Sequence, residues 1–384
     1  MAGAATHPEV NGSGSNPSQR RMTIKEVAQM AGVSYGTVSR VLNGHPEVNE
    51  STRQRVLQII KDVGYRRNRA ATTLVTSRST SIGIVTDGSP RFGPVGTLLA
   101  LENVAREKGY STTVASVRPP YEESIPNALN TLEDLGVDGI IVIAPLVSMA
   151  AAVWRATRRV PLEMVAAGVS STPDVFTYSE NQELGARLAT QHLIDLGHTD
   201  IAHIAGSMEW FDGRVRKRGW EAALKDADLE PGVCLEGDWS PKWAYETGLQ
   251  LVKENKVPQA IFAASDHTAL GLIRAFAENG VRVPEDVSIV GFDDIEGSDY
   301  FLPPLTTVRQ DFTSLDGEIA TSWTTMSTTE MASQLSAWRK RRIPTATSQP
   351  TGWNVSLNAP WNGLIGYRVD RPRSQHGACK TREK

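Results

Sequence analysis

Residues Thr23 to Leu42, TIKEVAQMAGVSYGTVSRVL, constrain this chain more than any other stretch. Ile24, Val27 and Ala28 share one helical face, and Val38, Val41 and Leu42 share another, so the stretch predicts two short helices joined by a tight turn. Gly32 stands at the end of the first helix, where a left-handed backbone costs little. Ser34 stands where an N-cap would open the second, its hydroxyl free to accept an orphan backbone N–H. The outward face of that second helix carries Tyr35, Gly36, Thr37, Ser39 and Arg40, short or hydrogen-bonding groups suited to base edges and phosphates. The plainer reading, a two-helix hairpin of no special purpose, leaves the next forty residues unexplained.

Those residues predict a third helix from Ser51 to about Val63, with Val56, Ile59, Ile60 and Val63 as its buried stripe. A basic run follows, GYRRNRAATTLVTSRS, with one isolated leucine, Leu74. Between Arg20 and Arg78, eleven Lys or Arg stand against four Asp or Glu, a net of +7. The whole chain carries −3, so the remainder sums to −10. A basic head on an acidic body is the asymmetry expected of a module that binds double-stranded DNA attached to a sensor.

The segment VAQMAGVSYGTVSRVLNGHPEVNESTRQRV, Val27 to Val56, with GYRRN at Gly64 to Asn68, resembles the lactose-repressor (LacI/GalR) family of bacterial transcription regulators. The resemblance implies a DNA-contacting set of Thr23, Ser34, Tyr35, Gly36, Thr37, Ser39, Arg40, Asn43, Asn68, Arg69, Ala71 and Leu74. Tyr35, Gly36 and Arg40 fall at the positions that read the major groove. Because Gly36 offers no side chain, base selection there differs from members with a longer polar residue. Asn68 to Val75 would be a hinge helix that folds on operator DNA. Leu74 would be the apolar lever that opens a minor-groove step, an ordinary linker leucine being the alternative.

From Ser81 onward, apolar strands alternate with helical stretches. Strands are expected at 81–87, 111–117 and 139–145, with helices between them beginning near Val95 and Glu122. A second series is expected at about 162–167, 200–206, 259–264 and 287–292. Strand, crossover helix, strand is the pattern of a parallel sheet covered on both faces. The expected fold is α/β. A three-helix helix-turn-helix head precedes two doubly wound parallel-sheet lobes of periplasmic-binding-protein type, with a cleft at the carboxyl ends of the strands. The segments are a disordered tail (1–21), the head (22–67), hinge and linker (68–80), an effector-binding core (81–320) and an atypical end (321–384).

Family-like motifs continue through the body: GARLATQHLIDLGHTDIAHIAG, GRVRKRGWEAAL, EGDWS, AASDHTALGLIRA, GFDD and PPLTTVRQDF. The resemblance implies effector contacts at Arg214, Trp239, Ser265, Asp293 and Gln310, with Phe312 lining the pocket; Phe92 is a candidate lid. Their chemistry suits a small sugar effector. A guanidinium and a carboxylate can each hold paired hydroxyls, and an indole can lie on the apolar face of a pyranose. Plainer readings stand beside these: Arg214 as a surface charge in its basic run, Trp239 and Phe92 as core, Asp293 as a turn cap, Gln310 as surface. Ser265 stands where family members often carry Asn. EGDWS is nearest to the branch that senses galactose-containing sugars.

Other classes fit poorly. Two cysteines among 384 residues imply no disulfide framework, and no apolar run approaches the roughly twenty residues of a membrane span. The first nineteen residues lack the basic start and apolar stretch of a secretory signal, so a cytoplasmic location is expected. The seven histidines are scattered, no nucleophile or phosphate-loop motif occurs, and neither enzyme activity nor a cofactor or metal is expected. The expectation is a homodimeric regulator whose operator affinity a sugar controls. The alternatives are a sugar-binding protein without a DNA role or an impaired regulator. No C-terminal heptad argues for a tetramer. After about Ala320 the regular pattern stops in a Ser- and Thr-dense run that holds four of the nine tryptophans. A shifted reading frame or a replaced end, beginning between Leu315 and Ser322, accounts for the break; a divergent extension is the alternative.

Overall fold

The computed structural model describes residues 22–65, 79–172 and 174–312. The N-terminal tail, the hinge with Asn68, Arg69, Ala71 and Leu74, and the atypical C-terminal segment lie outside the described residues. The chain divides between Ser79 and Thr80 into two units.

In the first unit, α1 (Ile24–Ala31), α2 (Tyr35–Leu42) and α3 (Glu50–Asp62) surround a small apolar centre. Val27, Val38 and Val56 are fully buried there, with Ala28, Ala31 and Val41 around them and Ile24, Leu42, Ile59, Ile60 and Val63 partly covered. Each terminus has a physical cause. The Thr23 hydroxyl accepts from the Glu26 N–H at 3.3 Å, while the Glu26 carboxylate accepts from the Thr23 N–H at 2.7 Å, a reciprocal capping box. Gly32, at φ 63°, ends α1, and the Ser34 hydroxyl accepts from the Thr37 N–H at 3.1 Å to start α2. Asn49 caps α3, which begins one residue before the expected Ser51.

The second unit carries two parallel five-stranded sheets. Its elements in order are β1 (Ser81–Thr86), α4 (Phe92–Glu107), β2 (Ser111–Ser116), α5 (Tyr121–Asp134), β3 (Gly139–Ile143), α6 (Val147–Arg155), β4 (Leu162–Val165), β5 (Phe176–Tyr178) and α7 (Gln182–Asp195). They continue with β6 (Ile201–Ala205), α8 (Phe211–Asp226), β7 (Cys234–Glu236), α9 (Pro241–Lys253), β8 (Ala260–Ala263), α10 (Asp266–Glu278), β9 (Ser288–Asp293) and β10 (Thr306–Arg309). The sheet orders are β2-β1-β3-β4-β5 and β10-β9-β8-β6-β7. Central strands such as β3 (GIIVI), β6 (IAHIA) and β8 (AIFA) are buried along their whole length, as expected where helices cover both faces.

Two sequence expectations change. The strand near 162–167 belongs to the first lobe, not the second series: β4 pairs with β3, Ile140 opposite Leu162. Three strands, β5, β7 and β10, escaped detection. Each has three or four residues and lies at a sheet edge, so none shows the continuous apolar run of a central strand.

Candidate functional site

In the head, α2 presents Tyr35 (52% exposed), Gly36, Arg40 and Asn43 to solvent, while Thr37 and Ser39 are half-buried. Thr23 and Ser34 are exposed, but their hydroxyls serve as helix caps. Nothing in the fold demands glycine at position 36: its φ is not left-handed, and a Cβ would meet only the Ser34 hydroxyl at 3.6 Å. Glycine inside a helix is destabilising by about 1 kcal/mol relative to alanine. Its presence on the outward face therefore has no local structural reason.

In the second unit, the loops after the strands converge on a cleft between the two sheets. Its larger cavity, about 370 Å³, is lined by Phe92 and Arg91 after β1, Trp210 after β6, Trp239 after β7, Ser265 after β8 and Asp293 at the end of β9. A recess of about 30 Å³ is lined by Glu180, Gln182, Asp212, Gln310 and Phe312 among others. Gly93, Pro94 and Asp212 border both. Six of the seven expected effector residues thus line the cleft, as the carboxyl-end rule for parallel sheets requires.

The seventh, Arg214, does not. It is exposed, and its Nε donates to the Met208 carbonyl. The cleft arginine is Arg216, 3% exposed. An α-helix turns about 100° per residue, so a displacement of two residues carries a side chain to the opposite face. The sequence held a signal for this correction. Gly219, Trp220, Ala223 and Leu224 define the buried face of α8, and Arg216 lies three and four residues before the first two.

Arg216 anchors a closed polar ring. Its Nε donates to Gln182 Oε1 at 2.9 Å, and Gln182 Nε2 donates to Gln310 Oε1 at 2.7 Å. Gln310 Nε2 then donates to Asp293 Oδ1 at 2.7 Å, and that oxygen lies 3.4 Å from Arg216 Nη2. Arg216 also donates through Nη1 to the Ala264 carbonyl at 2.5 Å and lies 3.8 Å above the Phe292 ring. Gln310 is therefore a member of the ring, with its amide engaged at both ends. Burial pushes the Asp293 carboxyl up to about 6, although Arg216 and Gln310 both favour its charged form. Burial and the neighbouring Asp293 push Asp266 up to about 8, and that carboxyl accepts from Ile295 N–H at 2.8 Å and bonds the Thr307 hydroxyl at 2.5 Å.

The aromatic groups are positioned by glycines. The Trp239 indole occupies the space a Cβ on Gly206 would need, 2.1 Å from its ring atoms, and it meets the Trp210 ring edge-on at 5.9 Å. Phe312 lies where a Gly96 side chain would sit and contacts Phe92 at 5.8 Å between centroids. Trp239 (φ 70°), Asp293 (φ 114°) and Asp294 (φ 56°) all occupy backbone regions that side chains disfavour. Such strain gathers where surroundings hold a site in a set geometry. Ser265 lines the cavity, but its hydroxyl caps α10 by accepting from the Thr268 N–H at 3.2 Å. Gln182, Glu180, Asp212, Trp210 and Arg91 also line the cleft, although no motif marks them. Among the described residues no group of three or more His, Cys, Asp or Glu is placed to hold a metal ion. None of the described helices is long and apolar enough to cross a membrane.

Comparison with known proteins agrees with this geometry. Residues 23–68 match the model of bacterial regulatory proteins, lacI family, and residues 190–337 match a periplasmic binding protein-like domain. The lactose operon repressor of Escherichia coli (strain K12) is 36% identical over 292 residues, covering 76% of this chain and 81% of that protein. The HTH-type transcriptional repressor PurR of Histophilus somni (strain 129Pt) is 36% identical over 299 residues, 75% and 87% of the two chains. A crystal structure of the lac repressor dimer bound to operator and the anti-inducer ONPF superposes with a TM-score of 0.70 at 34% identity, covering 80% of this chain and 93% of that one. The relatives are transcriptional repressors, not enzymes. The chain belongs to the lacI family of bacterial regulatory proteins, a DNA-binding transcriptional repressor with a ligand-binding core.

Proposed function

We propose that this repressor controls sugar-utilisation genes in the cytoplasm as a homodimer, releasing or gripping its operator according to a small sugar held in the cleft. The observation that supports the sugar most directly is the cleft itself. About 370 Å³ is the size of a small-molecule site, and two indoles stand beside the Arg216–Asp293 pair. The indoles offer apolar faces for pyranose C–H groups, and the ion pair offers both a donor and an acceptor for hydroxyls. The EGDWS stretch around Trp239 favours a galactoside. In the head, Tyr35, Gly36 and Arg40 read base edges from α2, with Thr37, Ser39 and Asn43 beside them, while Thr23 and Ser34 hold the helix ends. Asn68, Arg69, Ala71 and Leu74 contribute the hinge contacts, and Leu74 opens the central step. Two heads would occupy major grooves about 10 bp apart on a pseudo-palindromic operator.

Linkage sets the logic of control. A sugar that weakens operator binding must itself bind the DNA-bound form more weakly by the same factor. Fluorescence anisotropy of the full chain on its own promoter DNA, titrated with salt and with a panel of sugars, tests the reading. Tight, salt-sensitive binding shifted by one sugar supports it. Salt-sensitive binding unmoved by any sugar removes the sugar and leaves the repressor.

A further inference from the structure

The inner end of the cleft holds two carboxyl groups that no cationic side chain pairs among the described residues. Glu180, in the loop between β5 and α7, lines the recess, and its Oε1 is buried without a hydrogen-bond partner among the described residues. Asp212, in the first turn of α8, lines both cavities. Its Oδ2 would lie 3.7 Å from a Cβ on Gly93 across the cleft, and it makes no hydrogen bond or ion pair among the described residues. The cation nearest to both is Arg216, and all three of its guanidinium nitrogens are taken, by Gln182, the Ala264 carbonyl and Asp293. The other cleft arginine, Arg91, borders only the larger cavity, where it donates to the Asp238 carbonyl at 2.5 Å and stands 5.6 Å from the Trp210 ring centre.

The outer end has the opposite deficit. Trp239, which lines the larger cavity, has its Nε1, a donor with no acceptor capacity, buried with no partner among the described residues. The cleft therefore presents unanswered acceptors at one end and an unanswered donor at the other. Hydroxyls alone would satisfy hydrogen bonds but supply no charge to the carboxylates once a ligand excludes water from them. An ammonium group donates three hydrogen bonds and supplies the missing charge.

We infer that the effector is an amine-bearing sugar, seated with its ammonium between Glu180 and Asp212 and with a hydroxyl or ring oxygen accepting from Trp239 Nε1. This inference rests on the reading of the cleft as a sugar site. The electrostatics agree with it. Burial, with Asp212 and Asp311 nearby, pushes the Glu180 carboxyl up to about 7 against the pull of its own backbone N–H and of Arg216; burial likewise raises Asp212, with Arg216 opposing. An ammonium placed between them reverses both shifts, so binding expels protons and tightens as pH rises toward about 7; above that the amine's own deprotonation, near the α-amino value of about 7.7–8.0, opposes it.

Titration calorimetry of the full chain tests this with galactose, glucose and lactose, their 2-amino- and 6-amino-deoxy derivatives, and the N-acetylated forms of those amines. One free amine is expected to bind at least about tenfold more tightly than its parent and its N-acetyl form, with affinity rising between pH 6 and pH 7. Glu180→Gln and Asp212→Asn should each lower the free amine's affinity at least about tenfold more than that of the parent sugar. Parent or N-acetylated sugars binding as tightly as every amine would overturn the inference and leave the sugar reading standing. If 1,4-diaminobutane binds as well as any sugar, or if no sugar of either kind binds, both readings fall.

Discussion

Arg216→Met is the perturbation that most directly probes the polar ring. The guanidinium is 3% exposed, so water cannot replace what it leaves behind. Its loss strands the Asp293 carboxylate 3.4 Å from the vacated position, supported among the described residues by Gln310 alone at 2.7 Å, and orphans Gln182 Oε1 and the Ala264 carbonyl. Removing one partner of a buried ion pair costs about 3–5 kcal/mol, and an orphaned buried acceptor costs about 1–3 kcal/mol. These overlap, and methionine keeps part of the contact with Phe292, so the expected loss is about 4 kcal/mol at pH 7.5. Urea unfolding followed by circular dichroism measures it, provided the m-value is unchanged. Asp293→Asn in the same chain removes the stranded charge and should recover about 2 kcal/mol, a non-additivity that a double-mutant cycle reads directly. The sign of the pH effect is fixed as well. Asp293 already titrates at about 6 with Arg216 in place, and higher without it, so the variant's deficit should grow as pH rises above about 6 and level off below it. A loss under about 1 kcal/mol, or strictly additive variants, would show that the ring is not a coupled unit.

The other predictions concern response, recognition and pH. Arg214→Ala should leave sugar response and stability within about 0.5 kcal/mol of the parent, since that side chain is exposed, whereas Arg216→Met should abolish the response; anisotropy with and without sugar separates the two. Gly206→Ala places a methyl 2.1 Å from the Trp239 ring, so the indole must leave its seat and sugar affinity should fall at least about tenfold while operator affinity persists. Gly36→Ala should stabilise the head by about 0.5–1 kcal/mol and alter operator preference in a binding-site selection; unchanged preference would remove Gly36 from the reading face. Asp266 and Glu180 carry raised carboxyl values, so the stability they contribute is present at low pH and is lost as pH rises through about 8 and about 7. Asp266→Asn should therefore flatten the fall in Tm between pH 6 and pH 9, and an unchanged slope would place the pH dependence elsewhere.

Local structure was legible wherever a short-range rule acts without competition. Gly32 and Ser34 cap helices in the structure as their residue types require, because caps depend on groups three or four residues apart. The apolar runs of β1, β3, β6, β8 and β9 were equally plain, since a strand covered on both faces must be apolar throughout. The resemblance implied Trp239, Ser265, Asp293, Gln310 and Phe312 around one cleft, and these residues, with Phe92, line it.

Tertiary packing decided what depends on partners distant in sequence. Which lobe takes β4 follows from its register with β3, not from its own four residues. Whether Arg214 or Arg216 enters the cleft follows from the rotation of α8, which the packing of Gly219 against the Glu183 carbonyl and of Trp220 into the sheet sets. The unbalanced pair of Glu180 and Asp212 emerges only when elements 32 residues apart meet at one recess. A sequence records each residue's local preferences. Charge compensation, and the exclusion of water that makes it matter, are properties of the space that several elements enclose together.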